Sequence, residues 1–252
     1  MKKVMKKVLF LMMGIMALVG CTGCKVNYSN WGDGEIIEAS NNIVTKTYKL
    51  APFEEVTMGC VGELVVTQDQ SKDGMVELTA PDNYIELYKF ESNGKRLNVD
   101  FAKSHINIHT AHVKIQVFTT DLTKLKNTGA GTVTIDNLDT DRLDVENAGV
   151  GSFNLKKVIA DEVKVKCTGV GSMTFAGETL RASLFCSGVG SINAQDLQAK
   201  NVEAKLTGVG SITCYASESI DGQVTGVGSL KYAGHPKQKK LDKHLTGGIK
   251  EI

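Results

Sequence analysis

The chain has 252 residues, 29 basic and 28 acidic side chains and a net charge of +1. That balance gives no electrostatic case for nucleic acid as a partner. Twenty-six glycines against three prolines point to many tight turns within regular structure.

Residues 1–20 read as a lipoprotein signal peptide. Lys2, Lys3, Lys6 and Lys7 form a positive leader, and Val8 to Val19 is an unbroken non-polar run of twelve residues. That run is too short to span a bilayer as a helix and fits a signal-peptide core. Leu18-Val19-Gly20-Cys21 then resembles the bacterial lipobox, with an aliphatic residue three before the cysteine and a small one just before it. The resemblance implies cleavage before Cys21 and a diacylglycerol on its sulfur. Cys24 is the poorer acceptor, because Cys21 stands at its −3 position. Two or more acyl chains hold a protein stably at a membrane. No later run reaches the ~18 apolar residues that a transmembrane helix needs. The expected location is the cell envelope, at the outer membrane, with the surface and periplasmic faces both open. Residues 21–43, with Trp31-Gly32-Asp33-Gly34, read as the lipidated tether and a first strand.

Residues 44–128 form an irregular β region. Glu63 to Thr67, Met75 to Thr79, Ile85 to Phe90, Arg96 to Phe101 and Val113 to Thr119 read as strands, and Met58-Gly59-Cys60-Val61-Gly62 as a loose glycine turn. This half either continues the repeat that follows it or caps it. His105, His109 and His112 fall within eight residues and raise the question of zinc or copper. Their spacing suits a helix, whereas their setting is a strand or loop, so at most two share a face. They read as exposed loop histidines, and no metal or cofactor is expected.

Residues 129–234 are repetitive. Gly-Val-Gly-Ser starts at Gly149, Gly169, Gly188, Gly208 and Gly226, after a variant at Gly129-Ala130-Gly131-Thr132. The second glycines are Gly131, Gly151, Gly171, Gly190, Gly210 and Gly228, and the spacings run 20, 20, 19, 20 and 18. Two residues before each Gly-Val-Gly-Ser stand Asn147, Cys167, Cys186, Leu206 and Val224, and four before it Val145, Val165, Leu184, Ala204 and Gly222. After the turns come Val133, Phe153, Met173, Ile192, Ile212 and Leu230, then Ile135, Leu155, Phe175, Ala194, Cys214 and Tyr232. These mostly apolar columns alternate with polar ones, the period of strands buried on one face. One such unit cannot bury its apolar side alone, but stacked units can. The fold class is therefore all-β: a parallel β-solenoid of about 20-residue coils, expected to be right-handed, with Gly-x-Gly turns. Glycine suits a sharp corner that needs φ > 0 or has no room for Cβ. The valine between the glycines is expected to point into the core. A second, more variable turn is placed at Asp139-Thr140-Asp141 and at Ala216-Ser217-Glu218. Gly-x-Gly without a third glycine or a following helix is no nucleotide site.

Three groups of side chains are candidates for function. Cys167 and Cys186 share a column, where adjacent strands hold equivalent atoms about 4.8 Å apart, longer than a disulfide prefers. They read as buried free thiols. Asp139, Asp141, Asp161, Glu162, Glu178, Asp196 and Glu218 gather near the second turn but are mixed with lysine and arginine, and read as a solvated corner. The outward columns Ser152/Asn154, Ser172/Thr174, Ser191/Asn193 and Ser211/Thr213, preceded by Thr132/Thr134, form a flat small-polar stripe. Such residues suit turns and ladders, and a flat repeat surface also suits docking of a glycan or protein.

Taken together, Tyr48-Lys49-Leu50-Ala51-Pro52-Phe53-Glu54-Glu55-Val56, Leu64-Val65-Val66-Thr67-Gln68, the Gly-Val-Gly-Ser series and Gly228-Ser229-Leu230-Lys231-Tyr232-Ala233-Gly234-His235-Pro236 resemble the bacterial GIN-domain family of auto-transporter adhesin heads. The resemblance covers residues 44–236. It implies an all-β superhelix with Gly-x-Gly turns, similar in outline to pectin-lyase-type β-helices, and a role in adhesion without catalytic residues. It does not extend to a membrane barrel or a coiled-coil stalk. Residues 235–252, basic from Lys237 to Lys243 and carrying Thr246-Gly247-Gly248-Ile249, read as a worn terminal coil that caps the stack. The leading function is a non-enzymatic envelope lipoprotein, adhesin-like or a binding module. The alternatives are a polysaccharide-acting enzyme on a β-helix and a periplasmic structural or signalling partner.

Overall fold

The computed structural model describes residues 35–104, 106–108, 112–243 and 247–252. Nineteen strands occur among them. The N-terminal ones are β1 (Glu35–Ile37), β2 (Ile43–Lys49), β3 (Glu55–Met58), β4 (Val61–Gln68), β5 (Met75–Pro81), β6 (Tyr88–Ser92), β7 (Arg96–Phe101), β8 (Ile106–Ile108) and β9 (Lys114–Thr119). The repeat supplies β10 (Lys124–Asn127), β11 (Ala130–Ile135), β12 (Leu138–Asn147), β13 (Val150–Cys167), β14 (Val170–Cys186), β15 (Val189–Leu206), β16 (Val209–Val224) and β17 (Val227–Ala233). The chain ends with β18 (Gln238–Lys243) and β19 (Gly248–Glu251).

From β10 onward every coil lies parallel on the coil before it, in the register of the repeat. Gly151, Gly171, Gly190, Gly210 and Gly228 pair in one column. All the inward columns read from the sequence are buried, from Val133, Phe153 and Met173 to Val145, Val165 and Leu184. Each large apolar side chain placed there contributes roughly 1.5–3 kcal/mol as an upper estimate. The fold is thus a β-solenoid.

The N-terminal half both continues the solenoid and caps it. β3 and β4 pair in parallel with β10 and β11, with Val61 opposite Ala130 and Gly62 opposite Gly131. Below them lies a further tier, in which β7 pairs with β3 and β9 with β4. The chain therefore enters at the second tier, descends to build the first, and returns to build the third. Antiparallel β2, β5 and β6 close this end against β9 and β7. β1 pairs with β8 in a separate two-stranded sheet.

One expected strand begins later than its sequence suggests. Asp82–Leu87 is a 3-10 helix, and extended structure starts only at Tyr88. Its buried Tyr84, Leu87 and the following Tyr88 recur every three to four residues, a helical rather than an alternating pattern. The Tyr84 hydroxyl donates to the Ile37 carbonyl at 2.6 Å and ties the helix to β1.

The corners correct two further expectations. Pairing of β13 with β14 covers Val150–Leu155, Val158–Ala160 and Glu162–Cys167, so each coil has three arms. Instead of a single turn at Asp139-Thr140-Asp141, there are two shallower bends. Between them Thr140, Ala160, Thr179, Ala199 and Ala216 form an inward, buried column. The small volume of these residues lets the arm pass close to the core. The valines of Gly-Val-Gly also do not enter the core: Val150, Val189, Val209 and Val227 are exposed. The interior of that corner is already filled by the columns on either side, headed by Asn147 and Phe153. A side chain at the convex apex has only the outer side left.

Close backbone approach explains the glycines. At Gly190, φ is +159°, and a Cβ would sit 1.9 Å from the carbonyl oxygen of Gly171 in the coil below. At Gly188 φ is ordinary, but a Cβ would sit 2.0 Å from the Gly169 oxygen. Such contact with backbone cannot be relieved by rotating a side chain. Gly190→Val is expected to destabilise by about 4 kcal/mol or more, the range of severe backbone and overpacking changes. Gly248→Ala, where a Cβ would meet nothing within 4 Å, is expected to stay within about 0.5 kcal/mol of the parent. Paired thermal melts check both, and equal melting temperatures would refute this account of the corner.

Candidate binding face

The glycine corner presents a continuous outer surface. Ser152, Ser172, Ser191 and Ser211 align along one line, with Thr132 below and Ser229 above. Asn154, Thr174, Asn193 and Thr213 align along the next. Their side chains are exposed or half-buried. Ser172 Oγ donates to Ser152 Oγ at 3.3 Å, so the serine line is partly bonded to itself.

The valine line beside it is absent from the sequence reading. Val150, Val189, Val209 and Val227 are between 44% and 57% exposed, and Val170 is half-buried in the same line. The signal for it lay in the glycines themselves. A residue between two positions that both need close backbone approach stands at a convex apex.

The whole strip is uncharged. No Asp, Glu, Lys, Arg or His occurs within 127–135, 147–155, 167–177, 186–195, 206–217 or 224–230. Charge returns at both ends. An open groove of about 380 Å³ at the lower end is lined by Glu63, His112, Lys114 and Thr132. At the upper end Lys231 pairs with Lys250 in the terminal coil. Main-chain donors of the strip are used within the stack: Val189 N–H donates to the Gly169 oxygen at 3.0 Å and Gly188 N–H to the Cys167 oxygen at 3.1 Å.

Behind the strip the corner is braced by polar groups at one end and thiols further on. Asn127 Nδ2 donates to Asn147 Oδ1 at 3.0 Å, and Asn147 Nδ2 reaches the Val170 carbonyl at 3.3 Å. Both asparagines are buried. The next two positions in that column are Cys167 and Cys186, paired in register as free, buried thiols. The hydrogen bond to Cys186 and burial push the Cys167 thiol well up. Burial pushes Cys60 and Cys214 up to about 12.

The other sequence candidates do not converge. His105 and His109 lie outside the described residues, and His112 is exposed at the groove named above. Among the described residues no group of three metal-ligating side chains occurs. Asp139, Asp141, Asp161 and Glu178 border an open groove of about 330 Å³ together with Ile159, Leu180 and Lys200. Glu162 lies apart from them; its carboxyl is held below the usual range, chiefly by a hydrogen bond from Lys164, with Arg142 3.3 Å away. Asp196 and Glu218 are exposed. No helix among the described residues is long and apolar enough to cross a membrane.

Comparison with known proteins places this architecture. The family model described as "Putative auto-transporter adhesin, head GIN domain" matches residues 52–236. The crystal structure of a protein described as a putative adhesin, from Bacteroides fragilis NCTC 9343, shares 36% identity with a TM-score of 0.83, covering 86% of this chain and 100% of that one. A protein described as a putative lipid binding protein, from Parabacteroides distasonis ATCC 8503, shares 21% identity at TM-score 0.68, over 86% of this chain and 100% of its own. A putative adhesin from Parabacteroides merdae ATCC 43184 shares 17% identity at TM-score 0.61, over 87% and 100%. The latter two likenesses are of fold alone. No curated protein matches.

The upper end of the face depends on a polar latch. Glu251 in β19 receives Lys239 Nζ at 2.7 Å and the Tyr232 hydroxyl at 3.2 Å, and His235 Nδ1 lies 3.0 Å away. These contacts, Lys239 first, lower its pKa from 4.5 to about 2. A carboxylate with a depressed folded-state pKa contributes stability fully above its unfolded pKa. That contribution is lost as pH falls from about 4.5 through about 2. Glu251→Gln is expected to remove the part of the acid-induced loss that belongs to the terminal coil. Hydrogen exchange of Gly248–Glu251 across pH 2–5 checks this. Identical pH profiles in parent and variant would refute the latch.

Proposed function

The chain belongs to the family described as "Putative auto-transporter adhesin, head GIN domain", and from that premise we propose that it is a non-enzymatic, lipid-anchored binding module of the bacterial cell envelope. The observation that carries this reading is the uncharged outer face of the glycine corner. A regular surface of hydroxyls, amides and methyl groups can bind by shape and packing. It holds no carboxylate, lysine or histidine to act as general acid or base through its first five coils. The acidic groove on another face mixes its carboxylates with Lys200 and exposed Leu180, and its wide opening favours solvation over substrate enclosure.

Position in the cell follows from the leader. Lys2 to Cys21 supports lipid attachment, and a tether from Cys21 to Glu35 spans up to about 45 Å when extended. A segment of that length is long enough to hold the solenoid clear of the headgroups. Labelled palmitate is expected in the mature protein and absent from Cys21→Ala. Protease added to intact cells is expected to digest the solenoid as it does in lysed cells. Protection until lysis would place the module in the periplasm and remove adhesion from its roles.

The face itself is tested by charge. Replacing Ser172, Thr174, Ser191 and Asn193 together with lysine is expected to lower capture on glycan and matrix-protein panels at least tenfold. Each change is at the surface, so stability is expected to shift by no more than about 0.5 kcal/mol per site. Undiminished capture by the lysine variant would remove this face as the site.

A further inference from the structure

We propose that the partner of this face is the same face of a second copy of the chain, the valine lines of two solenoids packing side by side about a two-fold axis. This inference rests on the binding-module reading and names its partner.

Three observations carry it. The first is charge. Charged residues make up 23% of the chain, yet none falls on this strip through five successive coils, and Lys231 enters its second line only in the sixth. In a two-fold contact each surface meets its own image, so a charged column would face like charge. An uncharged strip is the surface that tolerates its own image.

The second is period. The valines at 150, 170, 189, 209 and 227 are aligned by the strand pairing, at a rise of about 4.8 Å. On each side of every valine stands a glycine, so the line is a ridge bordered by bare backbone. A foreign ligand has to match that rise over several coils. A second copy has the same rise by construction, so seating one valine beside the partner's ridge seats all of them.

The third is chemistry and size. The apex amides of Gly188 and Val189 are spent inside the stack, which disfavours an added strand. The strip offers methyl and hydroxyl groups and no exposed aromatic platform for a sugar ring. Its length is about 24 Å for five rises, and six residues across span about 20 Å. Wrapped over the convex apex, that is at most about 500 Å² per copy and about 1,000 Å² in all, at the lower limit of specific contacts. The contact is therefore weak and reversible in solution. Confinement of lipid-anchored copies to one surface, or apposition of two cells, raises the effective concentration and multiplies it.

The test uses the chain expressed from Thr22, which retains every described residue. The putative adhesin from Bacteroides fragilis NCTC 9343 matches this chain over 86% of its length and over the whole of its own. Sedimentation equilibrium from 5 to 500 µM is expected to show a monomer–dimer equilibrium that added salt does not weaken. Val189→Lys and Val209→Lys are each expected to raise the dissociation constant at least tenfold, and together to abolish association, with unchanged melting temperatures. Lys156→Glu, outside the strip, is expected to leave it intact. A chain that stays monomeric to 500 µM, or dimers that survive the double lysine variant, would overturn the proposal. Pelleting of monomers with phosphatidylethanolamine–phosphatidylglycerol vesicles, lost in Val189→Lys, would overturn it in favour of a membrane surface. A monomer that still captures a panel glycan or matrix protein through Ser172, Thr174, Ser191 and Asn193 would overturn the self-partner while sparing the binding module. A monomer that captures nothing would sink both.

Discussion

The structure depends on how closely consecutive coils approach at one corner. Backbone lies on backbone there, with a carbonyl oxygen of one coil about 2 Å from where a Cβ of the next would sit. Only glycine permits that approach, and its recurrence every 18 to 20 residues locks the register of all three arms. Once the corner is fixed, the alternation of each arm determines what is buried. The same constraint expels the valine, because a corner tight enough to need two glycines has no interior room at its apex. The outer valine ridge is thus a by-product of the tightest packing in the molecule.

A stack needs ends, and the two are closed by different means. At the N-terminal end, β2, β5 and β6 run antiparallel and cover the first tier, with the 3-10 helix burying Tyr84, Ile85 and Leu87 against the core. At the C-terminal end, β18 is exposed along its whole length and carries Lys239, Lys240 and Lys243. Lysine on an edge strand discourages another strand from adding to it. The Glu251 latch then holds β19 on β17 through side chains where little apolar area is available. Growth of the stack beyond either end is blocked, which leaves lateral surfaces as the route to partners.

Much of this was legible because a repeat reports itself many times over. The columns headed by Val133 and Val145 could be read as inward from alternation alone, and the structure buries them. What escaped the sequence lay where the alternation slips. Thr140 and Thr179 look like turn residues by type, yet they face inward, because a bend on either side shifts the phase of the pattern. The valines look like core by type and stand outside. The order of the first three tiers was also hidden. No local pattern in β4 records that the chain leaves after Gln68 and returns at Lys124 to stack the next tier on it. Pairing between distant segments is set by the ends they must cover, and that information is not periodic.

The apex valines bear on function because the fold does not require them. Their side chains lie outside the packed interior, and the corner's geometry is set by the flanking glycines. A polar residue at that apex would leave the backbone contacts unchanged and avoid exposing apolar surface. Ala130 occupies the equivalent position in the first repeat coil, showing that the corner accepts a smaller side chain. Five valines in line therefore need a reason outside the stability of one solenoid. Binding through such a line is distributed: each coil contributes a small, similar increment, and the sum grows with the number of coils engaged. A solenoid of six coils turns a weak contact, repeated at a fixed rise, into one that is specific for a surface with the same rise.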